Sequence, residues 1–244
     1  MKILVTNDDG IYSEGIKILV EFAKKYGEVI VVAPKIEQSA KSHALDIKGA
    51  IECKKVDLFE GVDAYMVDST PADCVRYAYY GLKEDFNLVL SGINRGYNLG
   101  NDILYSGTVA AAAEAALHFI KAIAFSTHHK SFEGAISQFE RVFKHIIDNE
   151  MLEEWNLYNV NFPLFCDDST EILLTAQGGT NFQTTFDLNG NDYYQKGVPC
   201  FENSKDKLNL DTSAIMNGYI SITPLVYDRT NYYVLNNLKN KKNK

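Results

Sequence analysis

The apolar positions of the chain fall into two alternating rhythms. KILVT (2–6) and EVIVVAP (28–34) are short runs rich in β-branched residues, the pattern of strands buried on both faces. Between them Ile16, Leu19, Val20, Ala23 and Tyr26 recur at i, i+3, i+4, i+7 and i+10. That spacing lays one apolar stripe along a helix, and Gly27 stops it. Strand, helix and strand within about 34 residues make a βαβ unit, so the two strands run parallel.

The rhythm continues. AYMVDST (64–70), FNLVLSGIN (86–94) and AIAFSTH (122–128) read as further strands. TPAD (70–73) supplies a helix start, with Thr70 as cap, Pro71 in the first helical position and Asp73 in the first turn. An alanine-rich helix is predicted over 107–120, carrying Val109, Ala112, Ala113, Ala116 and Ile120, and another runs through Phe132, Ile136, Phe139, Phe143 and Ile147. Residues 35–62 are less regular and hold a hairpin or short strands. The alternation predicts an α/β fold with a doubly wound, mostly parallel sheet up to about residue 150.

Beyond Trp155 the pattern turns β-like and loop-rich, as in GGTNFQTTFDLNGNDYY (178–194) and GYISITPLVYD (218–228). We read about 155–244 as a β-rich extension of the core rather than a second doubly wound domain. In GYISITPL, Ile220 and Ile222 alternate with Tyr219, Ser221 and Thr223, as in a strand buried on one face. The tail KNKKNK (239–244) reads as a frayed, solvated end.

Composition narrows the function. A chain of 244 residues with 46% hydrophobic content buries a substantial core. A net charge of −8 argues against a nucleic-acid polymer as partner, which would want a basic face, but leaves room for a small phosphate ligand. Cys53, Cys74, Cys166 and Cys200 form no CxxC or Cys/His cluster, so reduced thiols are expected in place of a disulfide scaffold or structural zinc. The start MKILVTNDDG turns acidic too early for a signal peptide, and no apolar run approaches the length of a membrane span. The expected location is the cytoplasm.

Ligands of an open parallel sheet bind outside the carboxyl ends of its strands. Those ends deliver Asn7, Asp8, Asp9 and Gly10 after the first strand, Gln38 and Ser39 after the second, and Ser91, Gly92 and Asn94 after the NLVL strand. Adjacent aspartates raise each other's pKa, a cost that a divalent cation removes. Carboxylate, hydroxyl and amide oxygens without His or Cys are hard ligands, suited to Mg2+, Mn2+ or Ca2+ over zinc. The plain alternative is a solvated turn before the next helix. Ser106, Gly107 and Thr108 open the alanine-rich helix, and free N–H groups with the positive end of a helix dipole make an anion seat. Taken alone, the same residues also fit an ordinary helix cap. The glycines at 92, 96, 100 and 107 match neither a Walker A loop nor a dinucleotide fingerprint.

Other polar groups fit bland roles first. His118 lies inside a helix, His128 and His129 follow a strand end, and His43 lies in the Ser39 loop. Asp167 and Asp168 read as a solvated pair away from the sheet edge.

ILVTNDDGIYSEGI, VVAPKIEQSA, STPADCV and SGINRGYNLGNDILYSGTVAAAAEA resemble successive motifs of the SurE family of stationary-phase survival proteins. The resemblance continues through NVNFP (159–163), DLNGNDYY (187–194) and DTSAIMNGYISITPL (211–225), covering nearly the whole chain in order. It implies a single unit over 1–244 with a Rossmann-like core and metal-dependent hydrolysis of nucleoside 5′- and 3′-monophosphates, with short-chain polyphosphate cleavage in some members. Carried over by motif, Asp8, Asp9, Ser39 and Asn94 hold one divalent metal ion per subunit, Mg2+ or Mn2+. Asp8 and Asp9 are also the catalytic candidates, and Asn94, Asn98, Ser106, Gly107 and Thr108 line the phosphate and substrate side. The resemblance further implies a homodimer or homotetramer, assembled through C-terminal arms. The fifteen tyrosines, several of them in 193–233, suit a self-association surface or ordinary packing.

Two positions depart from the family pattern. Ala40 stands where a glycine usually follows the serine, and Gln195 where an aromatic residue often follows the tyrosine pair. Two other classes share parts of the pattern. A receiver domain needs a third Asp, which Asp68 imitates, and a Lys close after a strand, whereas Lys130 lies several residues beyond its own. A haloacid-dehalogenase-type phosphatase needs Asp-x-Asp, which NDDG does not supply.

Overall fold

Each apolar run of the first half forms the element its period predicts, in a computed structural model that describes residues 1–242. The chain proceeds through β1 (Lys2–Thr6), α1 (Glu14–Ala23), β2 (Glu28–Pro34), β3 (Cys53–Val56), β4 (Asp63–Val67), α2 (Pro71–Arg76) and β5 (Leu88–Arg95). It continues with α3 (Gly107–Leu117), β6 (Lys121–Thr127), α4 (Glu133–Asp148), α5 (Met151–Glu154), β7 (Leu157–Phe162) and β8 (Ile172–Leu174). The last elements are β9 (Thr180–Asn189), β10 (Asp192–Phe201), α6 (Asp211–Met216), β11 (Ile220–Pro224) and α7 (Tyr232–Lys242).

Nine strands form one sheet in the order β3-β4-β2-β1-β5-β6-β7-β11-β8. The run from β4 to β7 is parallel throughout. From β1 the chain winds outward to β2 and β4, then returns to β5 on the other flank of β1. The crevice between the carboxyl ends of β1 and β5 is therefore the topological switch point, where such sheets take their ligands.

Alternation along β1 divides the core. Ile3 and Val5 face α1 and α4, meeting Ile16, Leu19 and Phe139. Leu4 faces α2 and α3, meeting Cys74, Val75, Ala111 and Ala115. α3 is buried almost all round rather than along one stripe, and its alanines let it lie close to the sheet. Thr70 caps α2 as its sequence predicts, accepting a hydrogen bond from the Asp73 N–H at 3.1 Å.

The structure differs from the sequence expectations in several places. α3 ends at Leu117, because Phe119 takes a left-handed turn (φ 60°) before Ile120. Residues 35–62 supply only β3, an edge strand antiparallel to β4. The main sheet continues past residue 155: β7 adds parallel to β6, β11 antiparallel to β7, and β8 parallel to β11. Residues 239–242 continue α7 instead of fraying, and Asn243 and Lys244 lie outside the described residues. The antiparallel β9–β10 hairpin and α7 leave Phe186, Tyr193, Tyr233 and Leu238 exposed. Among the described residues no helix is long and apolar enough to cross a membrane.

Candidate functional site

Three loops and one helix start meet at the switch point. The first loop begins with Asn7, whose Nδ2 donates to Gly10 O at 3.0 Å and to Ser13 Oγ at 2.7 Å, fixing the turn that carries Asp8 and Asp9. Asp8 is buried and lies against the first turn of α3. Its carboxylate receives a short hydrogen bond from the Thr108 hydroxyl and another from the Thr108 backbone N–H. Gly107 permits this approach: a Cβ there would stand 2.7 Å from Asp8 Cβ and 3.0 Å from both Asp8 Oδ2 and Pro71 Cγ. Ser106 is the N-cap, and its Oγ accepts from Val109 N–H at 3.1 Å. An acid at a helix N-terminus is favoured by the dipole, so Asp8 and the expected anion seat are contiguous.

Asp9 is held differently. Its Oδ2 accepts from the Arg95 backbone N–H at 3.3 Å, which brings it beside the end of β5 that carries Asn94. The Asn94 Nδ2 donates to Gly96 O at 2.8 Å, leaving its Oδ1 as the available end. Gly92, with φ 136°, allows β5 to run against β6, since a Cβ would stand 2.4 Å from Phe125 O. The loop after β2 joins the site through Gln38, whose N–H donates to Asp8 O at 2.7 Å. Ser39 follows it, exposed, with its hydroxyl donating to Glu37.

The electrostatics are those of an anionic pocket short of cations. Burial pushes the Asp8 carboxyl up to about 6, partly opposed by the Thr108 hydroxyl and reinforced by the charge on Asp9. Burial also raises Asp9; the Arg95 N–H opposes this, and the Glu37 charge adds to it. Three buried side-chain oxygens have no hydrogen-bond partner here: Thr6 Oγ1 and Asn7 Oδ1 at the carboxyl end of β1, and Ser91 Oγ opposite Thr6 in β5. Among the described residues no cluster of three or more His, Cys, Asp or Glu side chains forms a metal site. The donors gathered here are instead two carboxylates with hydroxyl and amide oxygens, the set suited to a hard cation.

Of the expected residues, Asp8, Asp9, Ser106, Gly107 and Thr108 come together directly, and Ser39 and Asn94 flank them. Asn98 is more committed. Its Nδ2 donates to Ser126 Oγ at 2.8 Å, and its peptide is clamped by Asn159 and Asn161, both donating to Asn98 O, at 2.8 and 2.9 Å. The histidines divide. His118 stacks on Tyr79, while His128 meets Tyr97 edge-on and lies against His129. His43 bonds Glu114 at 2.7 Å. Asp68 pairs with Lys35 at 3.1 Å beyond β2, so it is no third acid for Asp8. Asp167 is exposed and caps a turn at Ser169 and Thr170.

Three positioning groups escaped the sequence reading. Asn159 and Asn161 form the clamp on Asn98, and the N-x-N spacing on a strand is the signal that places both on one face. Asp211 accepts the N–H groups of Gly100 at 2.9 Å and Gly178 at 2.7 Å. Glu114 lies in mid-helix among alanines, where nothing local betrays its partners.

Comparison with known proteins identifies the family and the fold. The family model described as "Survival protein SurE" matches residues 3–184. A protein named 5′-nucleotidase SurE from Thermoanaerobacter sp. (strain X514) is 39% identical over 97% of this chain and 96% of its own. Its namesake from Alkaliphilus metalliredigens is 38% identical over 98% of both chains. The crystal structure of the SurE protein from Aquifex aeolicus superposes with a TM-score of 0.79 at 32% identity, covering 99% of this chain and all of that one.

Proposed function

We propose that this chain, which belongs to the SurE family and is a 5′-nucleotidase, hydrolyses nucleoside 5′- and 3′-monophosphates with one divalent cation held at the switch point. The observation that carries the reading is the seating of Asp8 on the first turn of α3, beside Asp9 and free helix-start donors. Two desolvated carboxylates whose pKa values are both raised form a donor set that a cation neutralises. Asp8, Asp9, Ser39 Oγ and Asn94 Oδ1 would hold it. A bound Mg2+ or Mn2+ supplies charge neutralisation at a phosphoryl oxygen and a more acidic attacking water.

The remaining work falls to the chain. Uncatalysed phosphate-monoester hydrolysis is among the slowest reactions enzymes accelerate, so charge stabilisation and positioning dominate. The Gly107 N–H and the Ser106 hydroxyl would hold the phosphoryl oxygens not engaged by the cation, while the Thr108 hydroxyl, donating to Asp8, keeps that carboxylate on the helix start. Asp8 and Asp9 orient the attacking water, and Asn98, fixed by the β7 clamp, bounds the phosphate side. The core to about residue 150 carries the chemistry, and 155–244 serves as extension and arm. Exposed apolar groups on the β9–β10 hairpin and α7, among them Leu188, Tyr194 and Val234, support covering by further copies in a dimer or tetramer.

Phosphate release from a panel of 5′- and 3′-mononucleotides and short-chain polyphosphate, with EDTA and with added Mg2+ or Mn2+, tests the reading. Metal-restored release from mononucleotides is expected. Release from none of them, or release indifferent to EDTA, overturns it.

A further inference from the structure

Glu114 is the sole acid of α3, and its side chain is only 5% exposed. Three basic side chains surround it. His43 Nε2 lies 2.7 Å from its Oε2 and Arg76 donates to its Oε1 at 3.0 Å, while His118 Nε2 stands 3.3 Å from Oε1. Burial alone would raise the carboxyl, but the hydrogen bonds and charges of His43 and Arg76 hold it at about 2. A buried ion cluster is weak evidence of stability, because desolvation offsets the Coulombic gain. Its partners point to a different use.

His43 belongs to the segment between β2 and β3 that bears Ser39 and has no regular structure of its own. That segment is fastened at two places. Gln38 bonds the Asp8 carbonyl at 2.7 Å, just before Ser39. Beyond it, Ser42 bonds Tyr105 O through its N–H at 3.0 Å and Leu104 O through its hydroxyl at 2.6 Å, and His43 reaches Glu114. Ala40 (φ 57°) bends the chain between the fasteners, and Ser42 (φ 55°) bends it at the second. Among the described residues the Ser39 side chain itself bonds Glu37 alone, two residues away. Its position is therefore set by its neighbours.

The geometry points to Glu114 and His43 as positioning residues that clasp the 39–43 loop to α3 and so fix Ser39 relative to Asp8 and to the start of the same helix. Four residues of chain span at most about 14 Å, while the seven residues from Gly107 to Glu114 rise about 10 Å along α3. Anchoring His43 at Glu114 thus keeps Ser39 within reach of the α3 start. The inference rests on the reading of Ser39 as a cation ligand. Loss of the clasp would act on cation binding more than on the chemical step.

The test is calorimetric titration of the metal-free, full-length chain with Mn2+, alongside AMP hydrolysis across Mn2+ concentrations. Groups that orient metal ligands through a hydrogen bond commonly contribute 10–100-fold in affinity, and a clasp four residues removed belongs near the lower figure. His43→Ala is expected to weaken Mn2+ binding about tenfold and to raise the half-saturating Mn2+ by the same factor, with kcat at saturation within threefold. His43→Gln, whose amide can still donate to Glu114, should recover most of the affinity. Arg76→Ala removes another partner of Glu114 without touching the loop, so it should lower the melting temperature and leave Mn2+ affinity unchanged. If His43→Ala binds Mn2+ as tightly as wild type, or Arg76→Ala weakens it equally, the clasp is refuted. A wild-type chain that binds no Mn2+ removes the cation reading and the clasp with it.

Discussion

Substituting Gly107 by alanine separates the role of the α3 start from its contribution to stability. The added Cβ would lie 2.7 Å from Asp8 Cβ, inside any real contact distance, and 3.0 Å from Pro71 Cγ. Asp8 Cβ adjoins the backbone and Pro71 opens α2, so neither can swing aside as a flexible side chain would. The helix start and Asp8 must part by about 0.5–1 Å. Overpacking of this kind costs about 1–3 kcal/mol, and the better helix propensity of alanine returns about 0.5–1 kcal/mol. A net loss of about 1–2 kcal/mol corresponds to a melting temperature lower by about 2–8 °C in a domain of this size. Catalysis should suffer far more, because a misplacement of about 1 Å can cost about 100-fold in rate. The assay pairs thermal unfolding with kcat for AMP at saturating Mn2+. A variant that keeps kcat within threefold of wild type while losing the expected stability would show that the Asp8–helix contact is structural, and the reaction would have to be placed elsewhere.

Three further changes probe the same frame. The folded-state pKa of Asp8 is raised from 3.8 to about 6, so its stabilising form is the protonated one, fully present below pH 4 and lost as pH rises through 6. In EDTA the wild-type chain should lose up to about 3 kcal/mol from this group over that window, and Asp8→Asn should flatten the melting-temperature profile while abolishing activity; an unchanged profile refutes the assignment. Asp211→Ala strands the N–H groups of Gly100 and Gly178 and should destabilise by about 3 kcal/mol, with a melting temperature essentially equal to wild type counting against the anchor. Ala40→Gly relieves a left-handed residue (φ 57°) at about 1–2 kcal/mol against about 0.4–1 kcal/mol of unfolded-state entropy. It should therefore raise the melting temperature slightly, and a fall of several degrees would refute the strain.

The parallel core was legible because each βαβ unit writes its own period: KILVT and EVIVVAP could hardly be anything but buried strands, and NDDG had to follow one of them. The helix start at Ser106 was legible for the same local reason. Glu114 was not, since its meaning depends on His43 and Arg76, which lie 71 and 38 residues away. Asn98 was only half legible. Its loop was expected to face phosphate, but the amide nitrogen is bonded to Ser126, and the signal for its clamp lay in a strand 61 residues downstream.

The C-terminal half shows why alternation alone misleads. ISITP alternates as a strand with one wet face should, yet Ser221 and Thr223 are both buried. Their hydroxyls meet Thr175 Oγ1 at 2.9 and 2.7 Å, and in the sheet they stand opposite Asn161 and Asn159. One face of β7 and β11 thus packs Val160, Phe162, Ile220 and Ile222 into the core. The other is a buried polar surface, and its asparagines grip the Asn98 peptide. Asp211, at the start of α6, holds the same loop at Gly100. Period-2 patterning reports which residues share a face but is silent on whether water or a loop covers the polar one. Here it is the loop. A glycine-rich segment with few side chains to pack has its backbone donors and acceptors satisfied by strands from the far half of the chain, as buried peptide groups require. The β-rich extension therefore supports the candidate site: without β7 and α6 beneath it, the loop between Asn94 and Ser106 would lose the partners that hold it across the switch point.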